Sequence, residues 1–158
     1  MNRAYIDLET FNETPINLGL YKYAETVEIT LFAYAIDDGH VQVWDVTAGG
    51  PMPRLLGAAL TDPDVLVCAH NSHFDRTVLR HVMPDLCPPV ERWRDTMVKA
   101  LAHGLPGKLD TLCEVLGLPQ DQRKLKVGGQ LINRFCKPQP AARTLRRALC
   151  AGLCALRA

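Results

Sequence analysis

The sequence runs out of acid early: no aspartate or glutamate follows Asp121, no histidine follows His103 and no tyrosine follows Tyr34. A site built from carboxylates or imidazoles must therefore draw on residues before 122. Long apolar runs are also missing. The longest, such as 31–36 and 65–69, fall far short of the roughly 20 residues that cross a bilayer. Near the start, only Arg3 precedes a short apolar run that Asp7 interrupts, so the long uncharged core of a secretory signal is absent. No membrane segment and a cytoplasmic location are expected. The six cysteines, at 68, 87, 113, 136, 150 and 154, make no C-x-x-C pair and no paired Cys/His zinc spacing. That pattern suits a reducing compartment and reads as small buried hydrophobes.

What is present fits one globular domain: 158 residues, 47% hydrophobic and 22% charged. A net charge of +1 conceals a division, because residues 1–90 hold 5 Lys/Arg against 12 Asp/Glu and residues 91–158 hold 13 against 5. An acidic part suited to a metal beside a basic part suited to phosphate is compatible with a nucleic-acid enzyme. Two solvated faces would give the same counts, so charge alone does not decide.

Residues 4–8 are a short apolar run, and 27–36 and 41–44 are rich in β-branched and aromatic residues, so all three read as strands. Asp37-Asp38-Gly39-His40 between the second and third predicts an antiparallel hairpin. A loop over 10–24, broken by Pro15 and Gly19, joins the first two strands. A helix over 54–60 precedes a continuous apolar run at 65–69, expected of a buried strand. Asn71 or Ser72 then caps a helix carrying Phe74, Val78, Leu79 and Val82 before Pro84. A short fifth strand is expected within 91–96, with helices over 97–103, 109–116 (closed by Gly117) and 127–136. This order predicts an α/β fold of the ribonuclease H-like kind, a mixed β-sheet of about five strands flanked by helices.

Two short motifs carry candidate chemistry. Asp7 and Glu9 are separated by one residue, so on a strand they point the same way, and two close carboxylates are relieved by a cation between them. If the strand ends at Asp7, Glu9 and Thr10 are ordinary loop. The second motif, Asn71-Ser72-His73-Phe74-Asp75, opens a helix directly after an apolar strand. Its bland reading is a capping box between Ser72 and Asp75. A strand-borne D-x-E and a helix-borne Asp at the edge of one mixed sheet can also converge, and convergence makes a metal site.

Asp7-Leu8-Glu9-Thr10 resembles the first motif of the DnaQ-like, or DEDD, exonuclease superfamily, and Ala69 through Asp75 resembles the second. Arg94-Asp95-Thr96, Lys108 through Leu112 and Leu116-Gly117-Leu118 are similar to further shared segments. Tyr21 through Ala24, the strand and turn at 31–38 and residues 130–138 resemble exonuclease domains at the front of bacteriophage family A DNA polymerases. The likeness covers about residues 4–138. It implies 3'-to-5' hydrolysis of terminal phosphodiester bonds of DNA, releasing nucleoside monophosphates from a single-stranded 3' end, with a DNA polymerase as a partner. It makes Asp7, Glu9 and Asp75 catalytic metal ligands. Two Mg²⁺ ions about 4 Å apart, replaceable by Mn²⁺, would activate the water and hold the departing 3' oxygen. Thr10, Asn71 and Phe74 fall on the substrate-binding side, with a helix cap for Asn71 and a core position for Phe74 as the alternatives. His70 and His73 read as neighbours of the cleft rather than ligands.

The sequence departs from that family late. The superfamily's fourth acid ends an H-x-x-x-D or Y-x-x-x-D motif, and nothing downstream supplies one; Asp110 and Asp121 sit in other motifs. Weak metal binding and slow chemistry are the expected consequences. The exonuclease domain is therefore assigned to 1–138, incomplete at its C-terminal side. Residues 139–158 form a basic tail of Ala, Arg, Leu and Cys. GC-rich coding sequence read out of frame gives such a mixture; so does a basic helix with Leu145, Leu149, Leu153 and Leu156 on one side. Two other functions remain open: an inactive module holding nucleic-acid ends or a replication partner, and an RNA-directed exonuclease of the same superfamily.

Overall fold

The computed structural model describes residues 2–119, 130 and 136–138. In chain order the elements are β1 (Arg3–Phe11), a 3-10 turn (Ile16–Leu18), α1 (Leu20–Ala24), β2 (Glu28–Ile36), β3 (Gln42–Asp45), α2 (Arg54–Thr61), β4 (Leu66–Ala69), α3 (Ser72–Val82), β5 (Trp93–Asp95), α4 (Thr96–Ala102) and α5 (Leu109–Val115). The strands form the expected mixed five-stranded sheet, ordered β3-β2-β1-β4-β5. β1 pairs antiparallel with β2 and β2 with β3, whereas β1–β4 and β4–β5 are parallel. β1 is thus the central strand, and the C-terminal ends of β1, β4 and β5 reach one edge of the sheet.

Three local differences from the sequence expectations have clear causes. β1 runs on to Phe11 because Thr10 and Phe11, good strand residues, pair with Ile29 and Glu28, which keeps Glu9 inside the strand rather than in a loop. The loop expected over 10–24 contains a 3-10 turn and the five-residue α1, separated by Gly19 at φ 108°. Around the fifth strand, residues Val90–Arg92 form a 3-10 turn, leaving only Trp93–Asp95 in the sheet. The helix expected over 127–136 falls almost wholly outside the described residues, and the tail at 139–158 lies outside them.

The expected β2–β3 hairpin is present. Asp37 takes φ 48° in its turn, and its Oδ1 accepts the backbone N–H groups of Asn2 (2.8 Å) and Arg3 (2.9 Å), tying the turn to the start of β1. One face of β1 buries Ala4, Ile6, Leu8 and Thr10 while Arg3, Tyr5 and Asp7 stay exposed on the other. Onto the buried face α2 brings Leu56 and Leu60, and α3 brings Val78 and Leu79, around a fully buried Phe32. Of the four described cysteines, Cys68 and Cys113 are buried as expected, whereas Cys87 and Cys136 are only half-buried. Among the described residues no helix is long and apolar enough to cross a membrane.

Arg92 is the unusual core member, only 7% exposed. Its Nε donates to Val65 O (2.8 Å), Nη1 to Leu60 O (2.7 Å) and Nη2 to Ala59 O (2.8 Å). The last two are carbonyls at the C-terminal end of α2 that no following helical turn can satisfy. The rigid fork of the guanidinium thus ties the end of α2 to the start of β4. Replacing Arg92 by Met keeps the stem but strands three buried carbonyls; thermal and urea denaturation should show a loss of about 2–4 kcal/mol. Arg94→Ala, at an exposed position one residue beyond Trp93, should change stability by less than about 0.5 kcal/mol.

Candidate active site

Because β1, β4 and β5 run parallel, the residues ending them gather where open α/β sheets characteristically bind ligands. β1 contributes Asp7 and Glu9, two residues apart and both directed away from the buried Ile6-Leu8-Thr10 face. A register shift falls between Glu9 and Thr10: Glu9 pairs with Leu31 and Thr10 with Ile29, leaving Thr30 as the extra residue in β2. Thr30 Oγ1 donates to Glu9 O at 3.0 Å, so the bulge is anchored at the residue it re-aims.

β4 leads through His70 and Asn71 into α3. Asn71 adopts the left-handed conformation (φ 65°, ψ 49°) and makes no side-chain cap. The capping box expected between Ser72 and Asp75 is not formed. The Ser72 hydroxyl donates to Asp95 Oδ2 at 2.9 Å, and Asp75 turns instead to β1, where its Oδ1 accepts the Leu8 N–H at 3.2 Å. The strand is close enough to offer a better donor than the helix start does.

Asp75 is only 3% exposed. Its burial first, and then the charge of neighbouring Asp7, push its pKa up to about 7; the N–H groups of Leu8 and of Asp75 itself pull the other way, and Asp95 adds a small upward push. Burial and the charge of Asp7 thus favour the neutral form of this carboxyl. Asp95 is the opposite case. Burial opposes its charge, but hydrogen bonds from the Ser72 hydroxyl and from the N–H groups of Val98, Met97 and Ser72 outweigh it and hold the pKa below its usual value.

A cleft of about 690 Å³ opens along the end of β1. Asp7, Glu9, Thr10, Phe74, Tyr23 and Asn12 line it, together with Cys136, Lys137 and Pro138. Asp75 lies behind this lining, reached through Leu8, and Asn71 is exposed outside it. Thr10 is buried and shares a 2.8 Å hydrogen bond with Tyr23 Oη. Phe74 does two things, packing against the core beside the Tyr23 ring (centroids 6.1 Å apart) and presenting an edge to the cleft. His70 faces away, its Nδ1 3.0 Å from Thr96 Oγ1 and its Nε2 2.8 Å from Gly107 O, and His73 meets the Tyr21 ring.

The donor set suits a hard cation. Asp7, Glu9 and Asp75 offer only oxygen, the donor type that a hard divalent cation prefers. The full cage is not assembled: among the described residues, no group of three or more His, Cys, Asp or Glu side chains stands so as to hold a metal ion. Glu9 is engaged elsewhere, its Oε2 accepting from the Cys136 thiol at 3.5 Å. That contact joins positions 127 residues apart, and no local pattern announces it.

Two further residues escaped the sequence reading. Asn12 is 5% exposed and buttresses the cleft: Nδ2 donates to Tyr23 O, and Oδ1 accepts from Thr14 N (2.8 Å) and Thr26 Oγ1 (3.1 Å). An Asn shortly after a strand carries a weak signal of this kind. Asp95, noted only as part of a strand motif, binds the starts of both α3 and α4.

No family model matches the sequence. A DNA polymerase of Bacillus phage SP02 is 39% identical over 148 residues, which cover 89% of this chain and 22% of the polymerase. Brucella melitensis NrnC superposes with a TM-score of 0.55 at 18% identity, over 89% of this chain and 57% of NrnC. Structures of NrnC with bound Mg²⁺ and bound to pGG match comparably, with TM-scores of 0.54 and 0.56 at 20% identity, over 82% and 79% of this chain and 63% and 55% of NrnC. The EXO domain of Aedes aegypti Nibbler gives a TM-score of 0.56 at 14% identity, over 90% of this chain and 68% of that domain. This chain therefore spans about a fifth of the polymerase and little more than half of NrnC.

The Asp75 environment sets a pH dependence. A carboxyl at 3.8 when unfolded and about 7 when folded favours the folded state while protonated, and that advantage is lost as pH rises from about 4 through 7. In EDTA the parent should lose stability across this window, by on the order of 4 kcal/mol at most. Asp75→Asn should flatten the profile and be the more stable protein at pH 8. Thermal unfolding followed by circular dichroism from pH 4.5 to 8 reads both; parallel profiles for the two proteins would contradict the assignment.

Proposed function

Starting from a chain that has the DnaQ-like exonuclease fold, of the ribonuclease H-like class, we propose that it is a divalent-metal-dependent 3'-to-5' exonuclease domain. It hydrolyses terminal phosphodiester bonds of single-stranded DNA ends and releases nucleoside monophosphates. The observation that carries this reading is a buried Asp75, joined at Leu8 to the central strand that bears Asp7 and Glu9 on one face and influenced by the charge of Asp7. Support comes from the 39% identity to a phage DNA polymerase and from the structure of NrnC with bound Mg²⁺.

In this reading Asp7, Glu9 and Asp75 hold Mg²⁺, as two ions, with Mn²⁺ able to substitute. When bound, the cations lower the pKa of water and offset charge on the departing 3' oxygen. The chain's own groups do the rest. Thr10, Tyr23 and Phe74 shape the end of the cleft that receives the terminal nucleotide, with Phe74 offering an aromatic edge. Lys137 lines the same cleft and supplies positive charge for phosphate. Glu9 must leave the Cys136 thiol before its carboxylate is available.

A second reading, a catalytically inactive module that holds nucleic-acid ends, is favoured by one observation: no three-residue metal cage stands among the described residues. Incubating 5'-labelled single-stranded DNA and RNA with the protein in Mg²⁺ or Mn²⁺ separates the two. The exonuclease reading predicts stepwise shortening of DNA from the 3' end, reduced on the order of 10²-fold or more by Asp7→Ala. Retention of labelled DNA without shortening would instead establish the binder, and equal products from parent and Asp7→Ala would mean that the cleavage is not this protein's.

A further inference from the structure

The geometry points to Asp95 as the positioning residue of the candidate site, acting on Asp75 through the start of α3. This inference deepens the reading of Asp75 as a metal ligand and rests on it. Asp95 ends β5, in parallel register with Ala69 at the end of β4, which places its carboxylate between the two helices that leave these strands. Its Oδ1 accepts the N–H groups of Asn71 (3.1 Å), Met97 (2.8 Å) and Val98 (3.3 Å). Its Oδ2 accepts the N–H (2.7 Å) and the hydroxyl (2.9 Å) of Ser72. One side chain thus serves five donors at the starts of α3 and α4.

The backbone N–H groups among them are ones that a helix start leaves without intrahelical partners. Asn71, the N-cap residue of α3, makes no side-chain hydrogen bond to the helix. Asn71 also sits at φ 65°, in the left-handed region that asparagine enters more readily than other residues with a Cβ. Asp95 holds the N–H groups of both peptides that flank Asn71. Ser72, held by two bonds to Oδ2, is one turn ahead of Asp75 on the same helix. The position of Ser72 therefore decides where Asp75 meets Leu8 N on β1, and whether its carboxyl lies beside Asp7.

A carboxylate is needed because both oxygens must accept. Asparagine at 95 keeps the volume but carries one acceptor, so an NH₂ group faces either Ser72 or the three N–H groups of Asn71, Met97 and Val98. Ser72→Ala removes a single bond and leaves the rest.

The test uses the full chain as the parent, Asp95→Asn, Ser72→Ala, Asp75→Asn and the Asp95→Asn/Asp75→Asn double variant. Mn²⁺ affinity is measured from the free-ion electron paramagnetic resonance signal, and the exchange rate of the Leu8 amide by nuclear magnetic resonance. Asp95→Asn should weaken Mn²⁺ binding about tenfold and Ser72→Ala less, with no further weakening by Asp95→Asn once Asp75 is Asn. The Leu8 amide should exchange about tenfold faster in Asp95→Asn, and measurably faster in Ser72→Ala if Asp95→Asn does not fold. A lowered melting temperature with unchanged Mn²⁺ affinity and unchanged Leu8 exchange would overturn the inference and leave Asp95 a helix cap. Equal weakening by Asp95→Asn with and without Asp75 would overturn the route through Asp75. Absence of Mn²⁺ binding by the parent would count against the metal site, and Leu8 exchange would then decide the role of Asp95 by itself.

Discussion

The hydrogen bond from Leu8 N to Asp75 Oδ1 is the contact on which the site depends. It crosses from the central strand to the first turn of α3, and it carries a buried carboxyl to the neighbourhood of Asp7. Core packing alone would favour an apolar residue there, since burying a carboxylate beside another anion is costly. The fold tolerates the arrangement because the Leu8 and Asp75 N–H groups partly offset it. A cation at the same place would remove the remaining penalty, which is the physical sense in which the site asks for metal.

Everything that holds this contact lies at one edge of the sheet. The parallel pairing of β1, β4 and β5 brings their ends together, the bulge at Thr30 turns the strand at Glu9, and Asp95 fixes where α3 begins. On the other side of the cleft, Asn12 ties the chain after β1 to Tyr23, and Tyr23 supports both Thr10 and Phe74. The site is therefore assembled from one strand, one helix start and one loop, anchored by the polar side chains of Thr30, Asp95 and Asn12.

Much of this was legible in the sequence, because it is written in local patterns. Alternation around Asp7 and Glu9, the turn residues 37–39 and the apolar run at 65–69 gave the strands, their hairpin and the five-stranded mixed sheet. What escaped is non-local. Ser72 and Asp75 have the spacing of a capping box, yet each has a competing partner brought by the tertiary fold: Asp95 for Ser72 and Leu8 for Asp75. Asn71 was read as a cap or a substrate contact, and it is instead a left-handed residue outside the cleft lining. Nothing in the local sequence singles out Arg92, because its three carbonyl partners lie 27 to 33 residues away. The meeting of Cys136 with Glu9 is of the same kind.

The account stands on one claim, that Asp7, Glu9 and Asp75 together take a divalent cation. A crystal of the full chain grown in Mn²⁺, with diffraction recorded at the manganese absorption edge, tests it directly. The predicted result is an anomalous peak bound by Asp7 and Asp75 carboxylate oxygens, with Glu9 turned away from Cys136 to join them. An anomalous map without a peak there, with Asp75 still bonded to Leu8 and Glu9 still against the thiol, would contradict it.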